Sequence, residues 1–274
     1  MGDPPHSKCG SLETGVQVQV LSGALKLFVK KIDLSIVVPT YNESENIERL
    51  CFQINRVMQK ERRRFEIIIV DDSSPDGTSY VVEKLKKHIR NIKLIVREKK
   101  MGLASAVLDG FKESKGEIIG AMDADLSHSP DDIPKLVEPI EKGEALFTIG
   151  SRYVPGAEII DFPKLRKMLS LLGASSVKLI PIGRRMNLKD PLSGFFFVKR
   201  DVIENILDKI NPKGFKLSLD IISLGEHKGK IKEIPIKFLW RKKGTSKLNI
   251  KDFYEYSQQW FEIIIKKFYK KINN

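Results

Sequence analysis

The sequence predicts an α/β fold in which a mainly parallel sheet is flanked by helices. Three observations support this prediction. Between residues 34 and 153, short apolar segments alternate with longer segments of helical character, as in successive βαβ units. The apolar segments are continuous, which is typical of strands buried on both faces of a parallel sheet. Acidic residues follow several of these segments, and such sheets bind ligands outside the carboxyl ends of their strands.

Five strands are predicted in this part of the chain. The first reads LSIVVP, a continuous apolar run, and the second reads FEIIIVDD, with acidic residues at its end. The fourth, EIIGAMDAD, also ends in carboxylates. The predicted strands span residues 34–39, 65–72, 92–98, 117–125 and 145–153.

Four helices are predicted between these strands. In the first, Ile47, Leu50 and Ile54 recur at helical spacing, and Asn42 with Glu45 three residues later resembles an N-terminal cap. The fourth carries a proline near its start, where a helix tolerates it. The predicted helices span residues 42–60, 78–89, 102–114 and 129–143.

The rest of the chain is more varied. It is predicted to contain an amphipathic helix (162–183), a turn with a short strand and a helix start (190–202), and a strand followed by a basic loop (231–248). The final segment, 249–274, has the aromatic and lysine pattern of an amphipathic helix at a membrane surface. We therefore expect a tail (1–30) that contributes nothing to the site, one domain (31–248) and a C-terminal interface helix (249–274).

The composition restricts the class of protein. The net charge of +13 over 274 residues implies an anionic partner, such as a nucleotide, a phosphorylated substrate or an anionic membrane. Cys9 and Cys51 fit neither a zinc site nor a redox motif, so a reducing, cytosol-facing location is expected. The sequence shows neither a clear signal peptide nor an apolar run of the roughly 18–20 residues that a membrane span needs.

Two predicted strand ends carry paired carboxylates, Asp71 with Asp72 and Asp123 with Asp125. In a strand, residues two apart face the same side, so Asp123 and Asp125 are expected to point at one spot. Like charges at one spot require a cation between them. The chain has neither the G-x-G-x-x-G nor the P-loop pattern, which argues against a dinucleotide dehydrogenase and a P-loop ATPase. A divalent metal bridging the carboxylates to a diphosphate fits this pattern.

A set of motifs then gives a resemblance. In order along the chain they are SIVVPTYNESENI, IIIVDDSSPDGT, EKKMGLASAVLDGFKESKG, MDADLSHSPDDIP, GSRYVPG and DPLSGFFFVKRDV. Together they resemble the GT-A glycosyltransferases of family 2, specifically the dolichol-phosphate mannosyltransferases. The resemblance covers residues 33 to 248. It implies a GT-A fold with amphipathic interface helices for this α/β chain.

The resemblance implies three groups of site residues. The nucleotide-sugar group is Pro39, Tyr41, Glu43, Asp71, Asp72, Lys100 and Ala124, with Gly102 permitting a close approach. The metal group, for Mg²⁺ or Mn²⁺, is Asp123, Asp125 and Ser127, and the acceptor-phosphate group is Arg152, Arg166, Ser170, Arg241 and Lys247. Asp125 and Arg152 are the implied catalytic residues. His128, beside the metal pair, is expected to be structural or to support the ligands.

The resemblance also implies a reaction: inverting transfer of mannose from GDP-mannose to dolichyl (polyprenyl) phosphate, giving dolichyl β-D-mannosyl phosphate and GDP. A phosphate monoester has a second pKa of about 6. Its oxygen can therefore attack the anomeric carbon without a general base. The alternative is transfer of glucose from UDP-glucose to a polyprenyl phosphate, because base and sugar choice depend on pocket shape.

A polyprenyl phosphate stays in the bilayer, so the resemblance implies a peripheral enzyme on the cytoplasmic face of a membrane. That membrane would be the endoplasmic reticulum in a eukaryote or the cell membrane in a prokaryote. The implied partners are the membrane surface and a membrane-anchoring subunit, with no nucleic acid.

Three other classes fit the residues less well. A processive polysaccharide synthase carries Q-x-x-R-W, and Gln258, Gln259 and Trp260 lack the arginine. A sugar nucleotidyltransferase is expected to have a glycine-rich loop where PTYNE stands. A nucleic-acid-binding protein would explain the charge but leaves the acidic strand ends without a purpose.

Overall fold

The computed structural model describes residues 32–177, 187–212, 217–225 and 230–240, together with the short strands β1 (Val20–Leu21) and β2 (Ala24–Leu25). The chain divides into two compact units, Met1–Lys31 and Ile32–Asn274. In the first unit, β1 and β2 pair antiparallel. The predicted helix at 249–274 lies outside the described residues, and the predicted division into tail, domain and C-terminal helix stays a prediction.

The second unit contains a seven-stranded sheet. Its strands are β3 (Leu34–Thr40), β4 (Phe65–Asp71), β5 (Ile92–Val96), β6 (Ile118–Ala121), β7 (Phe147–Ser151), β9 (Phe196–Lys199) and β10 (Ile231–Pro235). Their order is β10-β7-β9-β6-β3-β4-β5, and only β9 runs antiparallel to its neighbours among these described strands. Strands β8 (Glu158–Ile160) and β11 (Lys237–Leu239) form a separate parallel pair. The predicted α/β class with a mainly parallel sheet is confirmed.

Helices cover both faces of this sheet. The described helices of this unit are α1 (Ile47–Lys60), α2 (Thr78–Leu85), α3 (Leu103–Glu113), α4 (Ile133–Glu141), α5 (Lys164–Ser176), α6 (Arg200–Glu204) and α7 (Leu217–Leu224). Among the side chains that the structure describes, all of these helices except α5 contribute buried ones to the two core layers. Every residue of β3 and β4 is buried, and alternate residues face opposite core layers. Ile36 packs in the layer of α1, α2 and α4, whereas Val37 packs in the layer of α3, α6 and α7. Burial on both faces explains the continuous apolar runs in the sequence.

The first helix begins later than predicted. Helix α1 starts at Ile47, and the backbone N–H groups of Asn46 and Ile47 both donate to the Glu43 carbonyl. Asn42 has a left-handed φ of 60°, and its N–H donates to Ser74 Oγ at 2.9 Å. The predicted cap at Asn42 is therefore wrong, because residues 42–46 form a separate turn before the helix.

The fourth strand ends earlier than predicted. Strand β6 stops at Ala121, and Met122 makes one more backbone bond to Val37 before the chain turns. Leu126, at the end of this turn, has a φ of 61°. Asp123 and Asp125 thus lie on a turn after the strand, and the argument from strand alternation is wrong for them.

The later elements follow the predicted order. Helix α5 lies within 162–183, β9 and α6 supply the strand and helix start of 190–202, and β10 and β11 fall in 231–248. Residues 178–186 and 241–248 are outside the described part of the chain. Among the helices that are described, none combines the length and hydropathy required to cross a membrane.

Candidate active site

The candidate site lies at the carboxyl ends of β3, β4 and β6. Thr40 at the end of β3 is paired with Asp71 at the end of β4, and Val37 of β3 is paired with Ala121 at the end of β6. The polar segments that follow these three strands therefore leave the sheet at the same edge. The register explains why three motifs distant in sequence meet there.

Asp71 organises the loop that follows β4. Its carboxylate is fully buried and accepts hydrogen bonds from Thr40 Oγ1 (2.8 Å), Ser74 N (2.9 Å), Ser74 Oγ (2.5 Å) and Ser79 Oγ (2.7 Å). Four donors occupy the acceptor capacity of one carboxylate. Asp71 thus fixes the shape of this edge through protein contacts.

Asp72 holds the segment before α3. Its carboxylate pairs with the buried Arg97 guanidinium at 2.6 Å and accepts the N–H groups of Met101 (3.2 Å) and Gly102 (2.9 Å). Arg97 also donates to Ser105 Oγ at 2.7 Å. Sequence reasoning missed Arg97, since a lone arginine after a strand gives no sign that it will be buried. The pair fixes where Lys100 emerges.

Tyr41 and Lys100 meet over this edge. The Lys100 ammonium lies 3.7 Å from the centroid of the Tyr41 ring, a cation–π distance. The backbone N–H of Glu43 donates to Thr78 Oγ1 at 3.0 Å, and Asn46 donates to Glu43 Oε2 at 2.8 Å. Tyr41 and Glu43 thus follow β3 on a turn that is bonded to the loop after β4. The structure brings these three predicted residues to one side of the site.

Asp123, Ala124, Asp125 and Ser127 form the acidic turn. Ser127 N–H donates to Asp125 Oδ1 at 3.0 Å, and Ser127 itself is buried, as is Ala124. The Asp123 side chain is 33% exposed. Within the described residues, no group of three or more His, Cys, Asp or Glu side chains is arranged to hold a metal. The protein thus offers a pair of carboxylates on one turn.

Gly194 leaves room beside this turn. A Cβ at this position would lie 3.2 Å from Asp123 Oδ2, closer than ordinary van der Waals contact. Sequence reasoning assigned Gly194 no role, although it belongs to the quoted DPLSGFF motif. Asp123 and Gly194 border a largely apolar cleft, whose other lining residues are Pro39, Leu103, Val107, Ala121, Met122, Ser193, Phe196, Leu217 and Ser218.

His128 lies behind the acidic turn. Its ring packs on Phe195 and Phe238 with centroid distances of 5.1 and 5.4 Å, and its Nε2 lies 3.8 Å from Asp123 Oδ2. Burial lowers the pKa of His128, and the nearby Asp123 carboxylate only partly opposes this. A neutral ring that packs between aromatic side chains fits the expected structural role.

Arg152 is held by a residue that sequence reasoning missed. Its Nε and Nη2 donate to the two oxygens of Asp190, each at 2.8 Å, and its backbone N–H donates to the same carboxylate at 3.0 Å. Asp190 is fully buried. Burial alone would lower the pKa of Arg152, but Asp190, followed by Tyr153 and Asp123, raises it above its ordinary value. The arginine is therefore permanently charged and fixed beside the acidic turn.

The remaining predicted acceptor residues are only partly described. Ser170 lies half-buried on α5. The Tyr153 hydroxyl is buried, and no atom of the described residues lies in good hydrogen-bonding geometry to it. Burial raises the pKa of Tyr153, and the nearby Ser170 hydroxyl partly opposes this. Arg166 also lies on α5, but its side chain is outside the described part of the structure, as are Arg241 and Lys247. The structure therefore brings Ser170 to the side of the site where Arg152 and Tyr153 lie.

This chain is similar to known proteins in sequence and in fold. The family model "Glycosyl transferase family 2" matches residues 35–207. Dolichol-phosphate mannosyltransferase of Pyrococcus furiosus is 40% identical over 231 residues, which are 84% of this chain and 63% of that protein. Dolichol-phosphate mannosyltransferase of Saccharomyces cerevisiae is 37% identical over 244 residues, which are 86% of this chain and 89% of that protein.

A solved structure supports the same fold. Mannosyltransferase PcManGT from Pyrobaculum calidifontis, in complex with GDP-Man and Mn²⁺, matches with a TM-score of 0.55 at 18% identity, covering 90% of this chain and 66% of that chain. The sheet order, the acidic turn and the family match together define a glycosyltransferase of the GT-A fold, and the chain belongs to glycosyl transferase family 2. Three of its relatives within that family, at 35–40% identity, are named dolichol-phosphate mannosyltransferase, which confirms the resemblance seen in the sequence.

Proposed function

We propose that this chain transfers mannose from GDP-mannose to dolichyl phosphate with inversion, giving dolichyl β-D-mannosyl phosphate and GDP. The names of the two relatives support mannose and the lipid acceptor, and the ligand of PcManGT supports the donor. The observation that carries the proposal is the proximity of the acidic turn and the fixed Arg152. The Arg152 guanidinium and the His128 ring both pack on Phe238, and His128 Nε2 lies 3.8 Å from Asp123. A site that pairs metal-binding carboxylates with a buried cation suits phosphate groups on both substrates.

The metal would be Mg²⁺ or Mn²⁺, held by Asp123 and Asp125. Two carboxylates on one turn fit a hard divalent cation that takes its remaining ligands from the substrate phosphates and water. Gly194 supports this assignment, because the absence of a Cβ leaves space beside Asp123. When bound, such a metal neutralises charge on the leaving diphosphate. The buried Ser127 orients Asp125 through its N–H, and we propose this backbone contact as its contribution.

For the donor, we propose that Tyr41, Glu43 and Lys100 contact the nucleotide, with Pro39 and Ala124 forming adjacent walls. Lys100 rests on the Tyr41 ring, so a bound diphosphate can draw the ammonium away while the ring remains for stacking. Asp71 and Asp72 would act by shaping the loops that carry these residues, since protein donors surround both carboxylates. Gly102 then lets the start of α3 approach the ligand.

For the acceptor, we propose that Arg152 binds the lipid phosphate, assisted by Ser170, Arg166, Arg241 and Lys247. The phosphate oxygen attacks the anomeric carbon directly, so that no side chain has to remove a proton. Asp125 and Arg152 are the proposed catalytic residues. His128, which is neutral and lies 3.8 Å from Asp123, would support the position of that carboxylate.

We also propose that the enzyme works at the cytoplasmic face of a membrane as a peripheral protein, with a membrane-anchoring subunit as a partner. On α5, the side chains of Met168, Leu171 and Leu172 are 52%, 39% and 60% exposed. The net charge of +13 favours an anionic membrane surface. The membrane would be the endoplasmic reticulum or, in a prokaryote, the cell membrane.

Calorimetry tests the donor part of this proposal. GDP-mannose and UDP-glucose are titrated into the chain, each with and without Mn²⁺. Metal-dependent binding of GDP-mannose alone supports the proposal. Preference for UDP-glucose would transfer the same mechanism to glucose, and the absence of binding by either nucleotide sugar would contradict it.

A further inference from the structure

Glu233 is connected to Arg152 by hydrogen bonds through one intervening residue, Asp190. Glu233 is half-buried on β10, where it is paired with Ile149 of β7. Its two carboxylate oxygens accept the backbone N–H groups of Lys189 (2.8 Å) and Asp190 (2.7 Å), one oxygen for each donor. Charge-assisted bonds of this kind fix a backbone segment more strongly than neutral ones. Glu233 therefore clamps the backbone on which Asp190 stands.

Asp190 continues the chain of contacts to Arg152. Its buried carboxylate receives the Arg152 backbone N–H and both Nε and Nη2 of the guanidinium. This two-pronged pairing defines the plane of the guanidinium as well as its position. The rings of Tyr153 and Phe238 lie 5.2 and 5.3 Å from its central carbon.

Within the described residues, one edge of the guanidinium remains for a ligand. Asp190 takes the Nε–H and one N–H of Nη2, so the edge that an incoming anion can use is formed by Nη1 and the second N–H of Nη2. A small rotation of the Asp190 carboxylate would turn this edge, because the bidentate pair moves as a unit. The backbone clamp by Glu233 opposes such a rotation.

We propose that Glu233 is a positioning residue, which acts through Asp190 to fix the guanidinium edge that Arg152 presents to the acceptor phosphate. This inference rests on the proposed function, because it assigns Arg152 to the phosphate of the lipid. The competing explanation is that the three residues merely tie β7, residues 189–190 and β10 together. The two explanations differ in whether the effect of Glu233 depends on Arg152.

The first test compares Glu233→Gln with Glu144→Gln. Glu144 is a matched control, because its carboxylate also accepts a hydrogen bond from a residue of β10. The donor is Lys232 Nζ, at 2.6 Å, and Lys232 is the neighbour of Glu233 in sequence. The Glu144 side chain, however, is 48% exposed. Glu233→Gln keeps the size and loses one of the two acceptors. We expect the KM for dolichyl phosphate to rise about tenfold with the KM for the donor changed less than about twofold, as for one lost charge-assisted bond. Equal rises in both KM values, or kinetics like those of Glu144→Gln, would overturn the proposal.

A double mutant tests whether Glu233 acts through Arg152. Lysine at position 152 keeps the charge but cannot form the two-pronged pair. If the clamp works by orienting the guanidinium, Glu233→Gln is expected to add less than about a twofold change in acceptor KM in the Arg152→Lys background. The full tenfold effect in that background would show that Glu233 acts independently, and would refute the relay.

Two further measurements cover other outcomes. If Glu233→Gln does not fold, Glu233→Asp keeps the charge and reaches one N–H, and an acceptor KM equal to that of the unchanged chain would overturn the proposal. If the unchanged chain transfers no mannose, the proposed function fails by itself. The relay is then judged by the NMR signal of Arg152 Nε–H, identified by its loss in Arg152→Lys. We expect Glu233→Gln to broaden this signal, and an unaltered signal would refute the relay.

Discussion

At the scale of single residues, the four carboxylates of the site differ in how deeply they are buried. Asp71 and Asp72 are buried and surrounded by donors from their own loops. Asp123, by contrast, is one-third exposed on a turn beside Gly194. This difference in burial explains why the four carboxylates at this edge of the sheet have two different roles. Two build the scaffold, and two are assigned to the metal.

Replacing Asp125 tests that assignment. Asp125→Asn keeps the acceptor for the Ser127 N–H but removes the charge that a divalent cation needs. We expect transfer to fall by about 10²-fold or more, the scale seen when a main electrostatic contact is lost. The thermal unfolding midpoint should stay within a few degrees. Asp131→Asn is the control, because the Asp131 carboxylate is exposed and forms an ion pair at 3.2 Å with Arg56, which is also exposed. Full activity of Asp125→Asn would refute the metal site.

The buried Cys51 gives a pH prediction. Burial in α1 raises the pKa of its thiol to about 12, so the folded protein holds it as a thiol at pH 8. The reactive thiolate forms only as the pH approaches that value. In a Cys9→Ser chain, we expect no labelling by a thiol reagent at pH 8 and full labelling in urea. Rapid labelling of the folded chain at pH 8 would contradict the burial of Cys51.

At the scale of elements, the sequence predicts the sheet better than the site. Continuous apolar runs such as LSIVVP mark β3 and β4 because both faces of these strands are buried. The predicted end of β6 and the predicted start of α1 were wrong because a turn follows β6 and another precedes α1. Each turn contains a left-handed residue that is not a glycine, Leu126 and Asn42, so neither turn was evident from the sequence.

The site itself was harder to predict from sequence. The motifs name Arg152, but the Asp190 that holds it is 38 residues away, and Glu233 is 43 residues further on. Hydrogen-bond partners at such separations follow from the register of β7 and β10 rather than from a local pattern. Arg97 shows the same limitation, because only the fold reveals that it is buried against Asp72.

Two helical glycines test the packing of their elements. In α3, a Cβ on Gly110 would collide with the buried Val37 side chain of β3, whereas in α5 a Cβ on Gly173 would meet Leu192 at an ordinary 3.6 Å. Alanine gains about 1 kcal/mol over glycine within a helix. We expect Gly173→Ala to be neutral or stabilising and Gly110→Ala to destabilise by about 1–3 kcal/mol despite that gain. Urea denaturation measures both, and a stabilised Gly110→Ala would contradict the described packing of α3 on β3.

At the scale of the whole molecule, charge and exposed apolar surface both favour a membrane. The chain carries a net charge of +13, and α5 exposes Met168, Leu171 and Leu172. Attraction to anionic lipid is screened by salt, whereas apolar insertion is not. The two contributions can therefore be separated by experiment.

Vesicle sedimentation makes that separation. We expect the chain to bind vesicles containing anionic lipid more strongly than neutral ones, and to bind less as salt rises. Leu172→Glu should weaken binding even to neutral vesicles and at high salt, where attraction between charges is small, because it opposes insertion of α5. Leu172 is 60% exposed, so the change should leave the fold intact. Equal binding of Leu172→Glu and the unchanged chain would contradict the docking of α5.

The most direct test of the central claim is the transfer of labelled mannose. The chain is incubated with Mn²⁺, dolichyl phosphate in vesicles and GDP-mannose labelled in the sugar, and label is measured in the lipid fraction. We predict labelled lipid that requires the metal, is absent when dolichol replaces dolichyl phosphate, and carries mannose in β linkage. Label from UDP-glucose alone, or no labelled lipid from either donor, would contradict the account.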